Sequence, residues 1–330
     1  MTGVEERRLG RTGRSVGVIG QGAWQLGGDW GEVGEDDALE VLDAAVDAGV
    51  TFIDTADVYG DGRSEQLVGR LLQRRPDAGL TVATKMGRRV EQTPANYSRA
   101  NFLDWNDRSR RNLGVETLDL VQLHCPPTPV YSTDEVFDAL DEMVESGRTR
   151  AYGVSVETCA EALTAIARPH VATVQIILNC LRLKPLDEVL PAALHAGVGI
   201  IARVPLASGL LSGKYDEHTT FAPDDHRTFN RHGEAFDVGE TFAGVPFEAG
   251  LAAVRELKAV VPAGATMAQF ALRWIVDQPG VSVVIPGARN AAQAEGNAGS
   301  ADLAPLDATA LTTVGEVYDR WIRPHVHDRW

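Results

Sequence analysis

Short apolar and β-branched runs alternate along the chain with stretches whose apolar residues recur at helical spacing. The pattern contains eight strand–helix pairs. The first predicted helix, residues 36–48, has an apolar stripe of Leu39, Leu42, Ala45 and Val46. Further helices are predicted from Ser64 and over 133–147, and the eight strands over residues 15–19, 51–54, 81–85, 118–124, 151–155, 173–177, 198–203 and 281–286.

This repeat predicts the fold class. Near-continuous apolar strands separated by helices are typical of a parallel sheet that is covered on both faces. Eight units within 330 residues favour a closed barrel over an open, doubly wound sheet. We therefore expect an α/β protein with a single (β/α)8, or TIM-barrel, domain over residues 1–330.

Two segments fall outside the repeat. Residues 1–14, with Arg11-Thr12-Gly13 as a turn, are expected to form a β-hairpin that plugs the N-terminal end of the barrel. Residues 213–246 form a long connection after the seventh strand, and a loop of that length is typical of a functional segment. We expect it to lie on the same face of the barrel as the active site.

Composition excludes several classes of partner. The chain is 44% hydrophobic and 23% charged, with a net charge of −15, and this acidic balance predicts no nucleic-acid binding. No apolar run reaches the length of a membrane span, so we expect a cytoplasmic protein with no membrane contact. The three cysteines, Cys125, Cys159 and Cys180, are expected to be free thiols, and no metal site is predicted. The oligomeric state stays open.

Candidate chemistry lies where the predicted strands end, because the C-terminal strand ends of a barrel meet at one face. Asp54, Lys85 and His124 end the second, third and fourth strands, and Tyr59 follows in the next loop. Each of them alone also suits an ordinary buried, salt-bridging or loop residue. Together they predict a lysine that lowers the pKa of a phenol, so that Tyr59 acts as a general acid and base in reversible carbonyl reduction.

Reversible carbonyl reduction needs a hydride carrier, which no side chain supplies. After the first predicted strand, Gly20-Gln21-Gly22 is only a partial match to the dinucleotide-binding GxGxxG motif. Barrels commonly bind phosphate through the loops after strands seven and eight. Here those loops, 203–214 and 285–289, offer small residues, backbone amides and a cation.

Ordered motifs extend over nearly the whole chain. They are Asp54-Thr55-Ala56-x-x-Tyr59-Gly60, Lys85, Gln122-Leu123-His124, Gly153-Val154-Ser155, Pro205-Leu206-Ala207-x-Gly209-Leu210-Leu211-x-Gly213-Lys214 and Val284-Ile285-Pro286-Gly287-Ala288-Arg289. In this order they resemble the aldo-keto reductases, barrel enzymes that use NADPH to interconvert carbonyls and alcohols. The resemblance implies that Tyr59 is the general acid, that Lys85 and Asp54 lower its pKa, and that His124 orients the substrate carbonyl.

The resemblance also implies an NADP(H) site, with NAD(H) as the alternative cofactor. Ser155 and Gln175 match positions that hold the nicotinamide carboxamide, and Arg289 is the expected partner of the 2′-phosphate. Trp24, Tyr59 and His124 are expected to line the substrate pocket. The full set of expected cofactor-binding residues is Gly22, Trp24, Asp54, Ser155, Gln175, Arg203, Pro205, Leu206, Ser208, Gly209, Lys214, Gly287, Arg289, Gln293 and Asn297.

Three positions depart from the family pattern. Val156 stands where asparagine is usual, which removes one carboxamide hydrogen bond or leaves it to water. Arg203 stands where an aromatic residue often stacks on the nicotinamide, so its guanidinium is expected either to stack there or to reach the pyrophosphate. Gln293 stands where arginine is expected, so a preference for NADP over NAD depends mainly on Arg289.

Several other residues have an ordinary and a functional interpretation. We expect Trp321, His325, His327 and Trp330 to pack an irregular C-terminal tail rather than bind a metal, and Cys125 to be a packing residue rather than a nucleophile. Trp24, Trp30 and Trp105 are candidates for an apolar pocket wall; Trp24 is favoured, and ordinary packing is the expected role of the other two. The long loop is expected to be a solvated lid in which Arg227 is positioned to close over the cofactor, and its polar residues include His218, His226, His232, Asp224 and Asp225.

Two other functions compete with the reductase. A lysine at a barrel strand end is also where Schiff-base lyases of this fold place their nucleophile, and borohydride trapping of an adduct on Lys85 distinguishes that class. A non-catalytic NADPH sensor would bind the cofactor tightly without turning over any carbonyl. A small carbonyl or alcohol is the expected substrate, and its identity stays open.

Overall fold

The computed structural model describes residues 5–28 and 33–330. Its strands are β1 (Glu6–Arg8), β2 (Ser15–Gly17), β3 (Gln21–Gly22), β4 (Phe52–Asp54), β5 (Thr81–Met86), β6 (Leu120–His124), β7 (Tyr152–Ser155), β8 (Thr173–Ile177), β9 (Gly199–Arg203) and β10 (Val281–Val284). Its helices are α1 (Trp24–Gly27), α2 (Glu35–Asp47), α3 (Arg63–Arg74), α4 (Arg99–Leu113), α5 (Asp134–Glu145), α6 (Cys159–Ile166), α7 (Val189–Ala196), α8 (His226–Phe229), α9 (Phe247–Leu257), α10 (Met267–Val276), α11 (Ala291–Ala298), α12 (Ala308–Val317) and α13 (Arg323–Val326).

Strands β3 to β10 form one parallel sheet in which each strand pairs with the next in chain order. The two outer strands approach each other through parallel bridges from Ile19 to Val284 and from Gly22 to Gly287. The sheet therefore curls into a barrel with helices between its strands. The predicted (β/α)8 fold is confirmed, and the C-terminal strand ends share one face.

A layer of side chains from successive strands fills the interior of the barrel. Leu9 and Val16, from the N-terminal hairpin, are fully buried and complete this layer from below. A second, larger apolar cluster joins the outside of the sheet to the helices. The inner cluster consists of Leu9, Val16, Phe52, Ala83, Leu120, Ala151, Ala172, Ile201, Val283 and Ile285.

The prediction for the first barrel strand was wrong. Of the predicted residues 15–19, Ser15–Gly17 pairs antiparallel with Glu6–Arg8 and so belongs to the hairpin, which extends beyond residue 14. The barrel strand at this position is Gln21–Gly22. The β-branched run was misassigned because two buried residues, one of them glycine, leave no hydrophobic pattern from which a strand can be identified.

The other predicted strands agree with the structure to within two residues at each end. In helix α2, Leu42 and Ala45 are buried as expected. The rest of its stripe was misplaced, because Ala38 and Val41 are buried while Leu39 and Val46 are only partly covered. Within the described ranges, no helix is long and apolar enough to cross a membrane.

Residues 213–246 differ from the expected solvated lid. The segment contains α8 and several 3₁₀ turns, and its Asp225, His226 and Asn230 are buried. His226 packs against Trp24 with ring centroids 5.1 Å apart. Part of the polarity of this sequence is used in buried hydrogen bonds, and Asn230 Nδ2 donating to Thr241 Oγ1 over 3.1 Å is an example.

The C-terminal tail is helical where an irregular segment was expected. A single π-helical stretch, Tyr318–Ile322, joins α12 to α13. Trp330 is buried, and the Tyr318 hydroxyl lies 3.0 Å from His327 Nδ1. These contacts agree with the expectation that the tail packs on the barrel.

Candidate active site

Three strand ends and one loop bring the predicted polar residues together. Asp54, Lys85 and His124 end or nearly end β4, β5 and β6, and all three are buried. The Lys85 ammonium donates to Asp54 Oδ1 over 2.5 Å and lies 3.3 Å from the Tyr59 hydroxyl. It also donates to the backbone carbonyl of Thr55 over 2.9 Å. Lys85 is thus fixed between a carboxylate and a phenol.

Two glutamines extend this network into the barrel. Gln175 donates its side-chain amide to Asp54 Oδ2 over 2.8 Å, and Gln122 does so over 3.3 Å. The Asp54 carboxylate therefore accepts hydrogen bonds at both oxygens, which satisfies a buried charge. Gln175, expected at the nicotinamide carboxamide, has its amide group committed to Asp54.

Aromatic rings surround the Tyr59 side chain. The Trp24 ring lies nearly parallel to it, with centroids 6.1 Å apart. The His124 imidazole meets it edge-on, with centroids 5.9 Å apart. These contacts hold the phenol beside the imidazole at the barrel mouth.

The pKa directions revise one expectation. Burial raises the pKa of the Tyr59 hydroxyl, and this exceeds the opposing effect of the Lys85 charge. The predicted net lowering of that pKa was therefore wrong, because desolvation disfavours a buried phenolate more than the nearby ammonium favours it. Burial opposes the charge on Lys85, but Asp54 and Tyr59 outweigh it and raise the lysine pKa.

His124 is held in its neutral form. Burial, followed by the charges of Arg88 and Lys85, lowers its pKa well below the usual value. Around neutral pH the site therefore contains a protonated phenol, a charged lysine and a neutral imidazole. Such a set can donate a proton from Tyr59 and a hydrogen bond from His124.

All the expected cofactor residues line one cavity of about 590 Å³ at the barrel mouth. Tyr59 and His124 lie on its wall, and Lys85 lies behind them. The loops after β9 and β10 also line the cavity. The expected cofactor residues found on the cavity wall are Gly22, Trp24, Asp54, Ser155, Gln175, Arg203, Pro205, Leu206, Ser208, Gly209, Lys214, Gly287, Arg289, Gln293 and Asn297.

Two exposed cationic side chains lie on the part of the cavity wall that is formed by the loops after β9 and β10. Lys214 and Arg289 are exposed and line the wall. The side chain of Gln293 accepts a hydrogen bond from the Arg289 backbone amide over 2.8 Å, so it orders the loop that carries this arginine. Asn297 Nδ2 donates to the Gly287 carbonyl over 3.2 Å.

The fold and the geometry of the site agree with a match to a known enzyme family. Residues 18–319 match the model of the aldo/keto reductase family. The chain belongs to this family. Aldo-keto reductase YhdN of Bacillus subtilis is 31% identical over 298 residues, which are 88% of this chain and 87% of that protein.

Two solved structures are similar across nearly the whole chain. The glycerol dehydrogenase AKR11B4 from Gluconobacter oxydans is 30% identical with a TM-score of 0.79, and the match covers 98% of this chain and 96% of that one. An aldo-keto reductase from Klebsiella pneumoniae in complex with NADPH is 24% identical with a TM-score of 0.71, over 96% of each chain. Membership of the aldo/keto reductase family supports a general oxidoreductase role.

A group of charged side chains lies next to the His124 imidazole. It consists of Arg88, Glu157, Arg203 and Glu240, and we call it the ionic cluster. Arg203 donates to Glu157 over 2.7 Å and to the Val156 carbonyl over 3.1 Å, and it lies 3.7 Å from Glu240. Arg88 contacts Glu240 over 3.0 Å and Glu157 over 3.3 Å. The guanidinium of Arg203 is thus held by carboxylates on the cavity wall, and Val156 contributes through its backbone.

Sequence reasoning missed Glu240, Arg88 and Gln25. Arg88 follows Lys85 by three positions, so its place just beyond a strand end was an available signal. Gln25 follows Trp24 and lines the cavity, and a Cβ at Gly287 would lie about 2.0 Å from its amide. Glu240 lies far along the chain from any strand end, and only the fold of residues 213–246 brings it to Arg203.

Cys125 has the environment of a packing residue. It is buried, its Sγ lies 3.3 Å from Ser155 Oγ, and burial raises its thiol pKa to about 12. Its sulfur and the carboxylates of Glu157 and Glu240 lie within 4.8 Å of one another. In this structure the guanidinium groups of the ionic cluster provide the positive charge at that place.

The tryptophan candidates and the polar candidates of the long loop fall into three groups: residues that line the cavity, residues buried elsewhere and exposed residues. Trp105 is buried within helix α4 against Tyr97 and Phe102, which agrees with the ordinary packing expected of it. Trp30 lies outside the described residues. Trp24 lines the cavity, as does Arg227, which donates to both Asp225 and Tyr215. The remaining loop residues, namely His218, Asp224 and His232, are exposed.

Proposed function

We propose that this protein is an NADP(H)-dependent oxidoreductase that reversibly reduces the carbonyl of an aldehyde or ketone to an alcohol. The observation that carries the proposal is the contact of Lys85 with both Asp54 and Tyr59, beside His124, on the wall of a deep cavity. Carbonyl reduction requires a proton donor at the carbonyl oxygen, and the neighbouring imidazole can orient that oxygen.

The residues present fit a dinucleotide phosphate. The cavity combines exposed cations, Lys214 and Arg289, with small residues that allow close backbone approach. The buried Gln25 Oε1 on its wall has no hydrogen-bond partner among the described residues, which suits a site that completes its contacts on binding. The similar Klebsiella pneumoniae structure contains NADPH. When bound, this cofactor supplies the hydride.

Tyr59 and His124 divide the protein's part of the chemistry. His124, neutral and edge-on to the phenol, donates a hydrogen bond to the carbonyl oxygen and so orients it. Tyr59 gives its proton to that oxygen as negative charge develops there, and Lys85 stabilises the phenolate that remains. In the reverse direction the phenolate takes the proton back from the alcohol.

Tyr59→Phe tests this assignment. We expect the variant to bind NADPH with wild-type affinity by calorimetry, but to lose NADPH oxidation by a factor of about 100 or more with aromatic aldehydes, dicarbonyls and aldoses, since a positioned general acid contributes that much. Unchanged turnover in the variant would contradict the role of Tyr59. NADPH binding without turnover by the wild type on the whole panel would favour the sensor function.

The buried position of Lys85 argues against the Schiff-base lyase. A lysine that attacks a carbonyl must lose its charge, whereas the neighbours of Lys85 raise its pKa. We therefore expect no covalent adduct on Lys85 after borohydride treatment with a carbonyl substrate. A trapped adduct detected by mass spectrometry would overturn this assignment.

A further inference from the structure

Trp330, which follows helix α13, packs against the long segment after β9. Its ring is 6% exposed, and its Nε1 donates to Asp237 Oδ1 over 3.0 Å. On one face the guanidinium carbon of Arg182 lies 3.7 Å from the ring centroid. The indole therefore joins the loop after β8 to residues 237–244, which we call the clasp turn.

The clasp turn is folded closely around this ring. A Cβ at Gly244 would lie 2.4 Å from the far edge of the indole, and one at Gly239 would lie 3.2 Å from it. Arg182 also donates to the carbonyl of Ala243 over 3.2 Å. The indole thus fills the space beside Gly244, where an added methyl group would collide with it.

The clasp turn carries Glu240 into the ionic cluster. Its carboxylate contacts Arg88 and Arg203, and its backbone carbonyl accepts a hydrogen bond from Ser208 Oγ over 3.2 Å. Ser208 Oγ in turn accepts a hydrogen bond from the backbone amide of Phe242 over 3.0 Å. Arg203 and Ser208 both line the cavity, so unbroken contacts lead from Trp330 to the cofactor wall.

We propose that Trp330 is a positioning residue for cofactor binding, which holds the clasp turn so that Glu240 keeps Arg203 and Ser208 in place on the cavity wall. Trp330 itself does not line the cavity and acts only through the turn. The inference rests on the proposed function for the identity of the ligand, NADP(H). It deepens that function by making cofactor affinity depend on how the tail is docked.

Trp330→Ala tests the proposal by calorimetric titration with NADP⁺. We expect about tenfold weaker binding, since loss of a desolvated cation–π contact and its hydrogen bond is of that size. KM for NADPH should rise by a similar factor while kcat changes less than twofold. Trp330→Phe keeps a ring over Arg182 and should recover most of the affinity, which a general loss of stability would not explain.

Trp321→Ala is the matched control. Trp321 lies in the same tail, but its Nε1 donates to Glu256 on helix α9 over 2.8 Å, away from the clasp turn. We expect wild-type affinity for NADP⁺ from this variant. Equal weakening by the Trp321 and Trp330 substitutions would overturn the proposal, because it would show a general effect of tail packing.

A mutant cycle with the paired variant Glu240→Gln/Ser208→Ala, which removes both links from the clasp turn to the cavity wall, tests the route of the effect. If Trp330 acts through these links, adding Trp330→Ala to the paired variant should weaken NADP⁺ binding by less than twofold beyond the paired variant alone. Multiplied effects would contradict this route. Absence of NADP⁺ binding by the wild type would instead reject the proposed function, and limited proteolysis would then decide the positioning role. Faster cleavage within 230–246 in Trp330→Ala than in Trp321→Ala would support it, and equal rates would overturn it.

Discussion

At the scale of single residues, Asp57 has an unusual environment two positions before Tyr59, the proposed proton donor. Its side chain is fully buried, and neither carboxyl oxygen has a hydrogen-bond partner within residues 5–28 and 33–330. Burial, with a further contribution from Glu65, raises its pKa to about 7 despite the opposing charges of Arg89 and Arg108. A buried carboxyl of this kind costs stability when it is ionised.

Asp57→Asn should therefore stabilise the protein at high pH. The pKa of Asp57 in the folded state is above its unfolded value of 3.8, so its contribution is complete below about pH 4 and is lost as the pH rises through about 7. We expect the gain in unfolding free energy to grow over that range, with an upper bound on the order of 4 kcal/mol at pH 8. Thermal melts at pH 4.5 and pH 8 measure it.

Asp61→Asn serves as the control for that experiment. Asp61 is exposed, and its pairing with Arg89 and Arg108 lowers its pKa. Its contribution has the opposite sign: it is present at neutral pH and is lost as the pH falls through its lowered pKa. A stability gain at pH 8 from Asp61→Asn as large as that from Asp57→Asn would refute the role of burial.

We expect the preference for NADP over NAD to depend on a single residue as well, Arg289. Arg289→Gln should weaken NADP⁺ binding by about 10- to 100-fold, because a charge-assisted hydrogen bond to phosphate contributes about 1.5–3 kcal/mol, and should leave NAD⁺ binding nearly unchanged. Lys214→Gln is expected to weaken both cofactors alike, since we propose that Lys214 binds the pyrophosphate that the two cofactors share. Calorimetry with both cofactors checks this, and equal losses from Arg289→Gln would reject its role at the 2′-phosphate.

The sequence predicted the strand-end residues well and the ionic cluster poorly. Asp54, Lys85 and His124 could be grouped because the ends of consecutive parallel strands must meet at one barrel face. Glu240 could not be found in that way, since the contacts that deliver it are made by the clasp turn with Trp330 and Ser208. The predicted direction of the shift in the Tyr59 pKa was also wrong, because that direction depends on how strongly the site is desolvated.

At the scale of elements, the N-terminal hairpin fits the bottom of the barrel closely. Gly10 has a φ of +49°, and a Cβ there would lie 2.1 Å from both the Ala172 carbonyl oxygen and the Gly199 amide nitrogen. In the same turn Gly13 has a φ of +76°, but nothing lies within 4 Å of its Cβ position. A comparison of substitutions at the two glycines therefore separates the effect of close packing from the effect of backbone conformation.

Gly10→Ala should lower the free energy of unfolding by about 2–4 kcal/mol, since it combines a left-handed backbone with a collision against two strands. Gly13→Ala should cost only about 1 kcal/mol, because it carries the backbone penalty alone. The thermal midpoints of the two variants measure the difference. Similar losses from both would mean that the hairpin is not packed tightly under β8 and β9.

The elements that were misassigned share a physical cause. A hydrophobic pattern reports that residues are buried, but not against which partner. In the run at 15–19, Ser15–Gly17 pairs with Glu6–Arg8 in the hairpin, and Ile19 takes part in barrel closure through its bridge to Val284. In helix α2 the same limit applies, since Ala38 and Val41 are buried while the predicted Leu39 and Val46 are only partly covered. Only the long, repeated βα units were specified by local pattern.

At the scale of the whole molecule, the two ends of the barrel have different tasks. The N-terminal end is closed by the hairpin, which brings Leu9 and Val16 into the inner core. The C-terminal end holds the cavity, the ionic cluster and the clasp turn. The barrel lies between them and separates residues that stabilise the fold at one end from the proposed binding site at the other, which is the usual division in this architecture.

This separation predicts that a stability defect at the bottom and ligand binding at the mouth act independently. NADP⁺ at 100 times its Kd stabilises the folded state by about 2.7 kcal/mol, and that increment depends only on its affinity. Because Gly10 contacts no cavity residue, the increment in Gly10→Ala should equal that of the wild type. In Trp330→Ala it should shrink, since there the affinity itself falls. Thermal midpoints of all three proteins, with and without a single fixed concentration of NADP⁺, measure the increments, and a reduced increment in Gly10→Ala would show that the hairpin and the mouth are coupled through the barrel.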